Sequence, residues 1–126
     1  MSKPDRHLAS RRNAERRGRR SETLAAILLM CKFYRILARR VRTHAGEIDL
    51  VARSPSGVIC FIEVKARADR DVAATALGPR QQARIERAAE LYLAQRPGLR
   101  PKGRRFDTII VARGGWPHHI PDAWRP

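Results

Sequence analysis

Two short segments, Gly46-Glu47-Ile48-Asp49-Leu50 and Phe61-Ile62-Glu63-Val64-Lys65, concentrate the acids and the base best placed to do chemistry together. Between them stands Ser54-Pro55-Ser56-Gly57. Proline suits the second position of a type I turn and glycine the left-handed position after it, so Pro55, Ser56 and Gly57 read as a hairpin loop. Counting outward from that loop sets Ser54 against Val58, Val51 against Phe61, Asp49 against Glu63 and Glu47 against Lys65. Strand side chains alternate with period two, so the last three of these pairs share one sheet face. Directly opposed residues hold their Cβ atoms only ~4.5–5.5 Å apart, where like charges destabilise the pair. Asp49 against Glu63 is therefore an electrostatic liability that a divalent cation would remove. Mg²⁺ (or Mn²⁺) favours oxygen ligands and is commonly held by one or two carboxylates, water and phosphate. Lys65 brings an ammonium to the same place, where it can orient water or stabilise developing charge. Hard oxygen ligands beside a cation suit phosphodiester hydrolysis and suit redox or acyl chemistry poorly. A Glu-x-Lys tripeptide alone is usually a solvated strand edge with a surface ion pair. Asp49 in register across the hairpin sets this one apart.

The charge of the whole chain points the same way. Among 126 residues, 27 Lys and Arg face 12 Asp and Glu, a formal charge of +15. A polyanion is the natural partner, and nucleic acid fits best because each neutralised phosphate releases counterions. An anionic membrane is the rival. Residues 1–20 hold Arg16, Arg17, Arg19 and Arg20 with little to bury, and read as a basic arm that clamps a nucleic-acid backbone or remains a solvated charge run. The apolar run Leu24–Cys31 behind this arm imitates a signal peptide. It is far short of the ~20 residues that cross a bilayer, and Lys32-Phe33-Tyr34 offers no small-residue cleavage site. Cys31 and Cys60 lie far apart and form no CxxC clip, so reduced thiols and a cytoplasmic location are expected. With three Phe, two Trp and two Tyr, several needed in the core, stacking along single-stranded bases has little support. Backbone and shape recognition of DNA is the expectation.

These side chains need a scaffold, and the chain is long enough for one domain, residues 21–126, with one core. Leu24, Ile27, Leu28 and Cys31 fall at helical spacing and predict a first helix from Ser21 to about Lys32. Tyr34–Val41, Ile48–Ala52 and Val58–Lys65 read as strands, and residues 66–78 as a connecting loop. Pro79 opens a second helix with Ile85, Ala88, Ala89 and Tyr92 on one face, stopped by Pro97-Gly98. Arg105–Val111 is a last strand, and Trp116–Trp124 reads as a packed cover.

Gly46–Ala52 followed by Phe61–Arg67 resembles the signature of the YraN-type uncharacterised bacterial protein family, within the PD-(D/E)xK nuclease superfamily that includes Holliday-junction resolvases and restriction enzymes. Gly18 and Glu22, the Arg80-Gln81-Gln82 run, Arg105-Phe106-Asp107 and Asp122-Ala123-Trp124 also resemble the family pattern, so residues 16–126 are covered. The resemblance implies an α/β, restriction-endonuclease-like fold: a central mixed sheet, an antiparallel hairpin carrying the site, and flanking helices. It implies a metal-dependent nuclease acting on DNA, structure-selective like the resolvases, with pairing into a homodimer. The alternative is a binding module of the same fold that assists DNA repair or recombination without cleaving. By resemblance Asp49 and Glu63 are metal ligands, Lys65 is the catalytic lysine, and Glu22 is a further ligand from the first helix. Glu22 also reads as an acid favoured near a helix N-terminus. Glu47 is expected as a partner of Lys65 or a group outside the ligand set rather than a ligand, and Gln81 or Gln82 as a second-helix contribution. Arg67, Arg80, Gln81 and Gln82 join the arm as nucleic-acid contacts. Ser21 stands where many relatives carry Gly, and Arg80 near where some carry Lys; both bear on backbone fit and phosphate contact, and neither removes a carboxylate. His118-His119 reads as surface packing, His44 as a loop residue, and Asp107 beside Arg105 as a local ion pair. No Walker loop, dinucleotide-binding glycine pattern or Ser/His/Asp arrangement is present.

Overall fold

The computed structural model describes residues 18–68 and 76–126. Arg16, Arg17 and most of the basic arm lie outside the described residues, as does much of the expected loop at 66–78. Residues 18–31 are helical (α1). There follow β1 (Arg35–Thr43), β2 (Gly46–Arg53), β3 (Ile59–Arg67), α2 (Pro79–Ala94), a 3₁₀ turn (Pro97–Leu99), β4 (Arg104–Ala112) and β5 (His118–Trp124). The five strands form one sheet in sequence order. β1, β2 and β3 are successively antiparallel, β3 and β4 are parallel, and β4 and β5 are antiparallel. The parallel pair requires a crossover, and α2 supplies it. The expected α/β architecture with a mixed sheet and flanking helices is the one found.

The β2–β3 turn follows from its sequence. The Gly57 N–H donates to the Ser54 carbonyl at 2.9 Å and the Ser54 N–H to the Val58 carbonyl at 2.9 Å. Gly57 takes φ +92°, which residues with a Cβ rarely adopt. The register then runs through Arg53↔Ile59 and Val51↔Phe61 to Leu50↔Ile62, as counted from the loop.

Each sheet face buries its own core. On one face Ile48, Val51, Ile59, Phe61 and Phe106 pack beneath Ile85, Ala88, Ala89 and Tyr92 of α2. On the other, Leu50, Ala52, Cys60, Ile62 and Ile109 pack beneath Ala25, Ala26 and Leu29 of α1. α2 buries the expected residues. α1 does not: its inward face is Ser21, Glu22, Ala25, Ala26 and Leu29, while Ile27 and Cys31 are exposed. The expected stripe of Leu24, Ile27, Leu28 and Cys31 is therefore rotated about the helix axis. Two alanines let α1 approach the sheet closely, and the two polar residues on that face are buried with it, so hydrophobicity alone misplaces the stripe.

Three further expectations need correction. β3 continues through Arg67 because it pairs with β4 as far as Arg67↔Ala112. The C-terminal cover is a fifth strand rather than a cap, and a buried polar cluster anchors it. The fully buried Asp107 carboxylate accepts hydrogen bonds from the Arg105 Nε and Nη2 at 2.8 Å each, from the Asp122 N–H at 2.9 Å and from His119 Nε2 at 2.8 Å. His119 Nδ1 faces the Lys32 Nζ at 2.6 Å, and Arg105 also donates to the Tyr34 hydroxyl at 2.8 Å. His118 is exposed as expected; the His119 side chain, at 2% exposure, is interior rather than surface. Asp107 is thus an ion-pair centre, as expected. Burial alone would raise its carboxyl, but the bonds from Arg105, His119 and Asp122 outweigh that and hold it below the usual range.

Candidate active site

The expected carboxylate pair forms where the sheet loosens. The β2–β3 ladder ends at Leu50↔Ile62, one step before Asp49 and Glu63 would pair. Ile48 packs beneath α2 and Leu50 beneath α1, so strict alternation breaks across Asp49. Asp49 Oδ2 accepts the Val64 N–H at 2.8 Å and replaces a ladder bond with a side-chain bond. Its carboxylate thereby sits in the gap between β2 and β3, near enough for Glu63 to affect its ionisation. Glu63 lies on the α2 face with Phe61, and there Gln81 Nε2 donates to Glu63 Oε1 at 3.2 Å. Lys65 Nζ stands 3.7 Å from the same oxygen, and the two side chains are only 15% and 16% exposed.

The electrostatics match the liability read from sequence. Burial is the largest influence on Glu63; with the neighbouring Asp49 charge it pushes the carboxyl up to about 7, against the pull of Lys65. Asp49 is also raised, first by burial and then by the Glu22 charge, while the Val64 N–H opposes this. Two largely desolvated carboxyls therefore resist ionising together beside one ammonium. Their donor chemistry, hard oxygens with an unmet demand for positive charge, fits a divalent ion.

The remaining expected residues divide. Glu47 does not face Lys65: beyond Leu50 it turns to β1, where Arg42 Nε meets Glu47 Oε1 at 3.1 Å on an exposed edge. Gln81 reaches the pair, whereas Gln82 donates to the Leu77 carbonyl at 3.0 Å and closes the entry to α2. Glu22 is buried on α1 and near enough for its charge to raise Asp49, but its Oε2 accepts from Arg40 Nε at 2.7 Å. Among the described residues no group of three or more His, Cys, Asp and Glu side chains comes close enough to hold a metal. The expected trio thus reduces here to Asp49 and Glu63, with Glu22 held off by Arg40. Arg19, Arg20, Arg67 and Arg80 are exposed. Arg67 and Lys65 leave β3 at the end where Glu63 meets α2, and Arg80 opens that helix beside Gln81.

Arg40 was not legible in the sequence. One arginine among 27 basic residues carries no pattern. Only its backbone betrays it, because Arg40 takes φ +52° inside β1. His44 lies exposed in the β1–β2 turn. Cys60 is buried and its thiol is pushed up to about 12, first by burial, so it is unreactive. No helix among the described residues is long and apolar enough to cross a membrane.

A five-stranded mixed sheet with a helix on each face makes this an α/β protein, an architecture consistent with the restriction-endonuclease-like class. Sequence similarity assigns the particular family. The model of the uncharacterised protein family UPF0102 matches residues 21–111, and the chain belongs to that family. It is 50% identical over 113 residues to a UPF0102 protein of Parvibaculum lavamentivorans, covering 90% of this chain and 84% of that one. To one from Maricaulis maris it is 50% identical over 117 residues, covering 93% and 91%. To one from Rhodopseudomonas palustris strain BisB5 it is 52% identical over 104 residues, covering 82% and 79%.

Proposed function

We propose that this protein is a metal-dependent nuclease that hydrolyses phosphodiester bonds in DNA. The observation that carries the reading is the partly buried Asp49–Glu63 pair with Lys65 at 3.7 Å from Glu63. Asp49 and Glu63 would hold a Mg²⁺ or Mn²⁺ ion, which would supply Lewis acidity toward a phosphoryl oxygen. The chain's own groups do the rest. The Val64 N–H and Gln81 fix the two carboxylates, and Lys65, mostly removed from water, offers an ammonium to a phosphate oxygen or to charge that develops there. Exposed Arg19, Arg20, Arg67 and Arg80 would engage the backbone on either side without reading sequence. A formal charge of +15 supports a polyanionic partner of that kind.

A second reading, a DNA-binding module that assists repair or recombination without cutting, is favoured by one observation. Glu22, the third expected ligand, is occupied by Arg40. The experiment is a panel of linear, flapped and four-way DNAs with Mg²⁺ or Mn²⁺, comparing the native chain with Asp49→Ala. Metal-dependent cuts absent from the variant support the nuclease. Salt-sensitive binding with no product from either protein supports the module.

A further inference from the structure

Arg39 and Arg40 are consecutive in β1, yet both reach α1: Arg39 Nη2 donates to Thr23 Oγ1 at 2.9 Å and Arg40 Nε to Glu22 Oε2 at 2.7 Å. In a regular strand successive side chains point to opposite faces. The exception is made by the left-handed φ of +52° at Arg40, a conformation disfavoured for any residue with a Cβ. The β1–β2 pairing passes from Arg39↔Leu50 to Val41↔Ile48, which puts Arg40 opposite Asp49. Its side chain is 37% exposed, while the Glu22 side chain it holds is 11% exposed. Arg40 therefore has one edge on a buried carboxylate and the other toward solvent at the rim of the site. Glu22, Asp49 and Glu47 all hold it more firmly protonated, the hydrogen bond that Arg40 donates to Glu22 foremost. Strain kept at such a place is commonly tied to function.

We propose that Arg40 is a positioning residue that holds Glu22 away from the Asp49–Glu63 pair until a nucleic-acid phosphate draws the guanidinium off, releasing Glu22 as a third carboxylate for the divalent ion. This rests on the metal-site reading above. A guanidinium forks onto phosphate as readily as onto carboxylate, so the exchange swaps one charge-assisted partner for another. Its consequence is linkage: nucleic acid strengthens metal binding, and by reciprocity metal strengthens nucleic-acid binding.

The test measures Mn²⁺ affinity by titration calorimetry or electron paramagnetic resonance, with and without a short DNA duplex, in the native chain, Arg40→Asn and Glu22→Gln. Asparagine tolerates the left-handed conformation, and Glu22→Gln leaves the β1 backbone untouched. In the native chain the duplex should tighten Mn²⁺ binding about fivefold or more, within the usual range of site coupling. Arg40→Asn should bind Mn²⁺ more tightly than native without DNA, by about threefold to tenfold, and gain less than about twofold from the duplex. Glu22→Gln should show the native affinity or less without DNA and also lose the gain. If both folded variants keep the native affinities and the native duplex effect, Arg40–Glu22 is only a strap between α1 and β1, and the inference is overturned. If the native chain takes up no Mn²⁺ in either state, it is the underlying metal site that fails.

Discussion

Replacing Glu63 by Gln should stabilise the metal-free protein at alkaline pH and abolish its response to Mg²⁺. In the native chain the Glu63 carboxyl is raised from 4.5 to about 7, by burial first and by Asp49 second. Below the unfolded value both states carry the proton and there is no penalty. Between the two values the folded state keeps a proton that the unfolded chain releases, so stability falls as pH rises, and the penalty is complete above about 7. Each pKa unit corresponds to about 1.4 kcal/mol, which sets a ceiling of roughly 3 kcal/mol. Asp49 and Glu63 titrate as a pair, so about 1–3 kcal/mol is expected at pH 8. Glutamine has nearly the same shape, can still accept from Gln81, and never ionises. Urea or thermal melts at pH 5 and pH 8, with EDTA or with Mg²⁺, read the outcome. The variant should match the native chain at pH 5 and exceed it at pH 8 in EDTA by roughly 3–15 °C in Tm. With Mg²⁺ the native chain should gain and the variant should not, because only the native pair has charge to give the ion. A native chain that is as stable as the variant at pH 8 without metal would show that the pair stores no repulsion, and the electrostatic argument for the site would fall.

Two further outcomes follow from other parts of the fold. Asp107→Asn should cost about 3–5 kcal/mol in chemical denaturation, because it leaves the Arg105 guanidinium half-buried beside a neutral group and weakens the anchor of β5. Since Asp107 is held below its ordinary range, the native chain should also lose this contribution as pH falls below about 4, and the variant should show no such acid limb. Changing Arg19, Arg20 and Arg80 together to Gln should weaken DNA binding evenly across sequences. It should also flatten the dependence of log K on log salt by about 0.9 for each phosphate that the variant no longer neutralises.

Much of the site was legible because it depends on local rules. The turn residues Pro55 and Gly57 fixed the register, the register brought Asp49 toward Glu63, and α2 declared its apolar face from Ile85 to Tyr92. What escaped was tertiary. No local rule says that a ladder ends at Leu50↔Ile62, so Glu47 was placed against Lys65 although it pairs with Arg42. The inward face of α1 was hidden because alanine and a buried glutamate carry little hydrophobic signal, and burying Glu22 makes sense only with Arg40 beside it. β5 reads poorly as a strand because His119, Pro121 and Asp122 break the apolar pattern, and the bonds that anchor it converge on Asp107 from another strand.

The charge around α2 makes a demand of its own, independent of the carboxylates. A helix N-terminus carries a partial positive charge and its first N–H groups lack intrahelical partners, so chains usually put an acid in the first turn. α2 has none there; it begins Pro79-Arg80-Gln81, and Gly78 provides no side-chain cap. Arg80 adds positive charge where the helix already supplies it, at the same end of the sheet as partly buried Lys65 and exposed Arg67. Arg80 and the helix end carry like charge and repel, whereas Lys65 has Glu63 at 3.7 Å. An anion on the same ground would relieve that repulsion, as a backbone phosphate crossing the mouth of the Asp49–Glu63 gap would do under the reading proposed above. The acid pair would accept a cation and the helix end an anion. Both meet at the end of β3, where Gln81 joins α2 to Glu63, and under the nuclease reading proposed above a metal-bearing phosphodiester would answer both at once.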